Sequence, residues 1–454
     1  MQIKSNFYKR IRGFIPLFPS FGFVILEAAQ YETFTERMDL MSKIRIGIFG
    51  GGRGVDLAGD FMLNGCEIVA LCDNNKERMA SAVEKFGGQS IATYDDFDKF
   101  LEHDMDAVLL ANFFHEHAPY AIKCFERGLH VYSECISNGT MAEGVELIRA
   151  HEKSNCVYML AENYPQMIFN REIKRVCQGG TLGKILFAEG EYNHPGSATD
   201  EAFYKRFSYF EGHWRNYLPS TYYVTHSLGP LMAATGATPA RVTAFATFSP
   251  HDESLPNSSF VADRAAVIMT QNDDGSIFRV TGCAGFGAHN NSYRVCGERG
   301  QIENLRGMGP KVMLRYNAWE IPEGMEEINC YEPTWNDPDE ELIKNSGHGG
   351  GDYLTIREFI NCIKEGRQPG KPYDIHSAVA MSSVAILSHR SMLEGGKPYE
   401  IPDFHKEECR KQYENDRLTP FVGVNGEAPT IPCCSKTDYA PTEKQLELYR
   451  EMMK

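Results

Sequence analysis

The sequence has too little positive charge to hold a polyanion: 46 lysines and arginines stand against 61 aspartates and glutamates, a net charge of −15. Nucleic acid and anionic membrane both need a basic face, so neither is expected as a partner. No C-x-x-C pair occurs among thirteen cysteines. Their odd number, with Cys66, Cys72, Cys124, Cys156 and Cys177 inside apolar runs, reads as reduced core residues of a cytoplasmic protein, with no zinc or other metal. Long hydrophobic runs are missing too; none reaches the roughly 20 residues of a membrane span. There is no internal repeat and no low-complexity tract. What remains is an ordinary globular composition, 42% apolar and 24% charged, over 454 residues. That length predicts two domains with separate cores.

Residues 1–40 stand apart. Lys4, Lys9, Arg10 and Arg12 precede an apolar stretch from Gly13 to Ala29, the order of a secretory signal, but Pro16 and Pro19 interrupt it and Glu27 lies within it. The expectation is a flexible leader, or an upstream start with Met41 nearer the true beginning, with a genuine signal as the lesser alternative.

The chain is organised around residues 43–73, KIRIGIFGGGRGVDLAGDFMLNGCEIVALCD. An apolar, β-branched run (Ile44, Ile46, Ile48, Phe49) reads as a buried strand. Glycines 50, 51, 52 and 54 follow where a strand turns into a helix of roughly Val55 to Leu63. Gly50 and Gly52 let the backbone approach a pyrophosphate, and the helix aims its free N–H groups at the same anion. A second run, Glu67 to Cys72, ends at Asp73, where an acid meets the adenosine ribose hydroxyls and disfavours the extra phosphate of NADP. NAD is therefore the expected cofactor. The third glycine of G-x-G-x-x-G falls on Val55, with Gly54 displaced by one.

Alternation continues with strands at 106–111, 130–133 and 156–161, and helices at 118–128 and 141–154, predicting a parallel sheet with helices on both faces. Ligands collect at the carboxyl ends of such strands, which singles out Asn112 to His117, Glu134 to Ile136 and Glu162 to Tyr164. After residue 165 a helix from Phe169 to Gln178 is followed mostly by strands (185–192, 241–248, 265–271, 276–283, 292–296), predicting an open, mostly antiparallel sheet. Helices at 352–365 and 375–394 are expected to cover one of its faces. The expected divisions are 1–40 leader, 41–165 Rossmann domain, 166–404 substrate-binding α/β domain, and 405–454 a surface arm.

IGIFGGGRG, ALCDNNKERM, HEHAPYAIKCFERGLHVYSE and GTLGKILFAEGEY together resemble the Gfo/Idh/MocA oxidoreductases over roughly residues 43–400. The resemblance implies a Rossmann domain followed by an α/β domain whose open sheet holds a carbohydrate or glycoside and often pairs subunits, so a homo-oligomer is expected. Many members carry Glu-Lys-Pro with a lysine that helps move a proton. Here the triplet is Glu134-Cys135-Ile136, a departure shared by the NAD-dependent glycoside hydrolase family 109 branch. Glu162-Asn163, the EYNH of Tyr192 and His194, Trp214-Arg215, TYYVTHSLGP and GHGGGD resemble that branch as well. The implied cofactor contacts are Gly50, Gly52, Arg53, Gly54, Asp73, Phe114, His117, Glu134, Cys135 and Asn163. The implied substrate contacts are Tyr192, Arg215, Tyr223, Thr225, His226 and His289.

Hydride can leave a sugar carbon only if the hydroxyl proton is taken, so a base must stand beside the nicotinamide. His226 is the first candidate because imidazole titrates near neutrality; Tyr192 and Tyr223 follow, each needing a nearby cation such as Arg215. The bland alternatives are that Thr225 or Ser227 caps a helix around His226, and that Arg215 pairs with Glu211 four residues before it. A thiol at Cys135 does not become reactive by replacing a lysine. The leading reading is an NAD-dependent oxidoreductase of a sugar or glycoside acting at a ring carbon, C3. Its alternatives are a glycosidase that oxidises, eliminates, hydrates and reduces with no net redox change, and a catalytically idle dinucleotide-binding scaffold.

Overall fold

The computed structural model describes residues 43–86, 91–197, 199–202, 205, 212–257, 263–423 and 425–454; the expected leader, 1–40, and Glu211 lie outside them. Strands β1 (Arg45–Phe49), β2 (Glu67–Cys72), β3 (Ala92–Tyr94), β4 (Ala107–Leu110), β5 (His130–Ser133) and β6 (Tyr158–Leu160) form one sheet in the order β3-β2-β1-β4-β5-β6. Every neighbouring pair is parallel. Both faces are covered, which is why Ile46, Ile48 and all of β4 are fully buried and the strands read as unbroken apolar runs. The interleaved helices are α1 (Arg53–Leu63), α2 (Lys76–Lys85), the short α3 (Phe97–Phe100), α4 (His117–Glu126) and α5 (Met141–His151). Asn75 caps α2 by accepting from the Arg78 amide, and Thr140 with Glu143 forms a capping box on α5.

After α6 (Ile168–Gln178) and α7 (Thr225–Thr235) the second sheet is laid down: β7 (Ile185–Asn193), β8 (Pro239–Thr247), β9 (Ala265–Asn272), β10 (Ile277–Ala284), β11 (Asn290–Gly297), β12 (Gly300–Asn304), β13 (Val312–Tyr316), β14 (Ile328–Tyr331) and β15 (Tyr399–Glu400). Their order is β14-β13-β12-β11-β7-β10-β9-β8-β15, antiparallel throughout except for β7 with β10. The expected mostly antiparallel sheet is present, but β12, β13 and β14 extend it beyond what the strand signals showed. At four or five residues each, these strands are too short to stand out as runs. α7 is buried along nearly its whole length against β7 and α6.

Two placements differ from expectation. Of the two helices expected on the second sheet, α9 (Gly351–Glu365), which follows the short α8 (Glu340–Asn345), instead packs on α1: Phe359 meets Tyr132 at 5.3 Å and Phe61 at 6.5 Å between ring centroids. An amphipathic stripe shows that a face is buried and not which sheet buries it. α10 (Ile375–Leu393) does reach the second sheet, where Ser391 Oγ accepts from the Ala244 amide at 3.0 Å. It also reaches the loop after β5, where Ser382 Oγ accepts from the Ser137 amide at 3.1 Å.

The C-terminal segment is not a surface arm. With α11 (Glu407–Arg410) and α12 (Glu443–Met452) it wraps back onto the molecule. Arg410 pairs with Glu152 and Arg390 with Asp416 through two hydrogen bonds each, and Phe421 and Tyr449 are fully buried. Its polar composition hid a few apolar anchors and paired charges, which suffice to dock a segment when they meet partners.

Candidate active site

The glycine turn between β1 and α1 is built as a cradle. Gly50 has φ +109, and a Cβ there would lie 2.2 Å from the Ala111 carbonyl oxygen, so only glycine lets the turn pass this close to the end of β4. Gly54, out of register with the usual motif, nonetheless does the third glycine's work: a Cβ would come within 2.6 Å of Ile48, so α1 presses directly on β1. Asp73 ends β2, almost buried, accepting from the Gly51 amide at 2.6 Å and the Asn75 amide at 2.7 Å, with Arg78 3.8 Å away. Beyond β4, both polar atoms of the Asn112 amide are buried without a partner among the described residues. A bare turn, an acid at the end of β2 and an orphaned amide fit a dinucleotide laid across the strand ends.

Arg53 does not project from this turn as a free phosphate ligand. Its guanidinium is held by Glu134 (2.9 Å) and Asp352 (2.6 Å), tying the turn to the loop after β5 and to the start of α9. His117 opens α4 fully buried, its Nδ1 2.7 Å from the Ile136 carbonyl oxygen, so it braces the Glu134–Ile136 loop, and burial lowers its pKa. Cys135 lies in that loop with Sγ donating to Glu162 Oε2 at 3.5 Å. Burial, then Glu162 and Glu134, push the thiol far above its ordinary range, so it stays protonated. Phe114 is stacked between Trp214 (5.1 Å) and Tyr223 (5.4 Å), carrying the Rossmann surface across to the substrate side.

At the carboxyl end of β6, Glu162 is fully buried and faces His226 of α7: His226 Nδ1 is 2.9 and 3.0 Å from the two carboxylate oxygens. No side chain caps α7, so the capping alternative for His226 fails; Ser227 bonds back to Val224. Burial alone would raise the Glu162 pKa, but the charge and hydrogen bond of His226, the Thr225 hydroxyl and the Tyr164 amide hold it below 4.5. A carboxylate on Nδ1 fixes the imidazole's tautomer and leaves Nε2 for chemistry.

Aromatic rings enclose that imidazole. Tyr164 stacks on it at 4.0 Å, and Tyr192 and Tyr223 meet it edge-on at 4.9 and 5.1 Å. Burial raises the Tyr192 and Tyr223 phenols well above 10; Tyr223 adds to the rise at Tyr192, while Arg215 works against it at Tyr223. They are hydrogen-bonding phenols rather than phenolates. Arg215 is exposed, lying over the Trp214 ring at 4.4 Å. His289 is also exposed and meets His194, ring centroids 4.8 Å apart, which in turn meets Tyr192 at 5.7 Å.

Asn163, next to Glu162, donates to Asp352 at 2.6 Å while its own Oδ1 is buried without a partner among the described residues. Asp352 also accepts from His348 Nδ1 at 2.9 Å. The GHGGGD run permits this: a Cβ on Gly351 would fall 2.6 Å from the Asn163 carbonyl oxygen. Sequence reasoning flagged Glu162, Tyr164 and His348 by position and motif but gave none of them a role. Nothing local announces that a carboxylate pairs with an imidazole 64 residues away. Among the described residues no cluster of metal-ligating side chains occurs.

Residues 44–162 match the oxidoreductase family with NAD-binding Rossmann fold, and residues 289–411 match the C-terminal domain of glycosyl hydrolase 109. A glycosyl hydrolase family 109 protein of Saccharopolyspora erythraea is 26% identical over 421 residues, spanning 85% of this chain and 87% of that protein. Another, from Akkermansia muciniphila, is 26% identical over 411 residues, 80% of this chain and 83% of its own. Levoglucosan dehydrogenase in complex with NADH and L-sorbose superposes with a TM-score of 0.65 at 17% identity, covering 80% of this chain and all of that one. An aldose-aldose oxidoreductase from Caulobacter crescentus, complexed with glycerol, gives 0.62 at 17%, covering 79% and 100%. These structural likenesses speak for the fold; in sequence, residues 44–162 are similar to the Gfo/Idh/MocA oxidoreductases with their NAD-binding Rossmann fold, and residues 289–411 to the C-terminal domain of glycosyl hydrolase 109.

Proposed function

We propose that the protein is an NAD-dependent oxidoreductase acting on a sugar or glycoside, with oxidation at ring carbon C3. The observation that carries this is the Glu162–His226 pair, an imidazole oriented by a buried carboxylate at the carboxyl end of a Rossmann strand. A dinucleotide held by Gly50, Gly52, Gly54, Asp73, Asn112 and the 134–136 loop would supply the hydride acceptor. His226 Nε2 takes the proton of the substrate hydroxyl, and the resulting imidazolium is stabilised by Glu162. Tyr192 and Tyr223, protonated, donate hydrogen bonds that orient the ring, and Arg215 with Thr225 completes the polar wall. Glu134 and Asn163 hold the cofactor side of the cleft in register through Arg53 and Asp352. The aromatic enclosure excludes water from the reacting carbon.

The second reading is net hydrolysis of a glycoside with no overall redox change. It is favoured by the absence of a lysine at Cys135 and by the match to the glycosyl hydrolase 109 C-terminal domain. A panel of nitrophenyl glycosides and free sugars separates the two. Aglycone release that needs no added oxidant and is abolished by stripping the dinucleotide supports hydrolysis; accumulation of a keto sugar supports oxidation. Mass spectrometry of the purified protein tests both, since a recycled cofactor must be retained. An inert panel with no dinucleotide bound removes the proposal.

The protein is further proposed to work as a homo-oligomer in a reducing, cytoplasmic compartment. Phe245, Val267 and Met269 are exposed side by side on β8 and β9, an apolar patch a second copy would cover, and all thirteen cysteines are free. Light scattering of the purified chain tests the assembly.

A further inference from the structure

A chain of net charge −15 gathers three side chains able to carry positive charge at one rim of the candidate site. His194 follows β7 and His289 precedes β11, each one step beyond the Asn193–Asn290 pair of that antiparallel ladder. The two therefore stand opposite each other, on the strand face that carries Tyr192 and Asn291. Their ring centroids are 4.8 Å apart, one ring edge-on to the other. Like charges directly opposite on neighbouring strands repel. Among the described residues no ion pair joins either ring to a carboxylate, whereas His226 and His348 each lie 2.9 Å from one. The third member is Arg215, whose charge acts on both His194 and Tyr223. Burial first, and then His289, Arg215 and His226, hold the His194 pKa below the ordinary imidazole value. Tyr192 lies between this rim and the oriented base, its ring 5.7 Å from His194 and 4.9 Å from His226.

We propose that this rim binds an anionic substituent of the substrate (a carboxylate, sulfate ester or phosphate ester), with His194 and His289 donating N–H bonds to its oxygens and Arg215 adding charge. The proposal rests on the oxidoreductase reading and narrows its substrate class to acidic sugars and glycosides. An anion between the two rings replaces their mutual repulsion by attraction to a shared partner, and donors facing a charged acceptor make the stronger class of hydrogen bond. A neutral hydroxyl at the same place stabilises no imidazolium and gains less. Because a single side chain separates the rim from His226, the anion sits on the ring being oxidised or on the group bonded to it. His194 and His289 select the substrate and take no part in the proton transfer. The groups that face His194 are His289 before β11, Arg215 of the 214–217 turn, His226 of α7 and Tyr192 of β7. The three that can be positive resist a proton on His194, and a bound anion reverses that, so binding brings a proton with it. The preference for an acidic ligand is therefore largest at low pH and fades as pH rises.

The test uses matched methyl glycosides of several hexoses, each as the neutral sugar, its uronate and its 6-sulfate, with NAD present. Titration calorimetry should show acidic members bound at least about tenfold more tightly than their neutral counterparts. That ratio should fall between about pH 6 and about pH 8. His289→Glu, at an exposed position, should bring the ratio below one, and His194→Gln should lower it at least about fivefold. The ratio is blind to a general loss of folding or of His226, because both members of a pair share that loss. An unchanged ratio in either variant overturns the proposal. So does a wild-type panel in which no acidic member outbinds its neutral counterpart, silence across the panel included. The absorbance change at 340 nm with the same compounds tests the oxidoreductase reading separately. NAD reduction by neutral sugars alone overturns the proposal and leaves that reading intact. Charge-selective binding with no 340 nm change on any compound overturns the reading and leaves the rim as an anion site.

Discussion

Replacing Glu162 by glutamine removes the charge opposite His226 while keeping the side chain's volume. Both carboxylate oxygens lie within 3.0 Å of His226 Nδ1 and Glu162 has no exposed surface, so the bond is charge-assisted and unscreened. Such a bond is worth about 1.5–3 kcal/mol, and its value is realised when His226 gains a proton during reaction. At about 1.4 kcal/mol per tenfold, kcat should fall roughly 10- to 150-fold with KM little changed. Glutamine can also offer Nδ1 either a donor or an acceptor, so the tautomer is no longer fixed. The assay is substrate-dependent turnover across pH. Stability gives a second readout. Because the native Glu162 pKa lies below 4.5, the ionised carboxylate's contribution is fully present above that value and is lost as pH falls through the native pKa. The melting deficit of Glu162→Gln relative to wild type should therefore shrink as pH falls below the ordinary carboxylate range. A variant with kcat within threefold of wild type at every pH would refute the assignment of His226 as an oriented base.

Asp73→Ala should weaken NAD binding at least tenfold and narrow the preference over NADP, because the acid that accepts from Gly51 and Asn75 is gone; titration calorimetry with both dinucleotides reads this. Phe421→Ala should cost about 3–5 kcal/mol, since the ring is buried against His115 (4.3 Å) and Tyr222 (4.9 Å). A surface arm would lose under about 0.5 kcal/mol in a denaturant titration. Glu116 is pushed up to about 7, first by burial and then by Glu143. Native protein thus binds the proton more tightly than unfolded chain, so stability falls as pH rises from about 4.5 to about 7. Glu116→Gln should raise the melting temperature at pH 8, by an amount worth at most about 3 kcal/mol, and change it little at pH 4; an equal effect at both would show that the carboxyl titrates normally.

The turn from β1 to α1 was legible because its signals are local. Bare backbone, a β-branched run before it and an acid after it are properties of neighbouring residues. His226 could be named from a motif, yet the features that make it a base could not. Glu162 is 64 residues away, and the link from Arg53 to Asp352 spans 299. The tail was misjudged because composition averages over a few anchors: Phe421, Asp416 and Tyr449 are a small fraction of a polar segment, and each is decisive only because of what it meets. Gly54 shows the opposite error, a motif out of register whose glycine still does the packing the motif requires, because contact distance to Ile48 rather than spacing is what matters.

The sequence by itself determined the alternation of strands and helices, the phosphate-sized turn and the acid at the end of β2, since periodicity and backbone freedom are written residue by residue. Tertiary structure alone decided which carboxylate orients which imidazole, that α9 belongs to the Rossmann core, and that the last fifty residues close over the body of the fold. Those outcomes depend on which buried charges and apolar faces find one another across the chain, and a one-dimensional pattern does not contain that pairing.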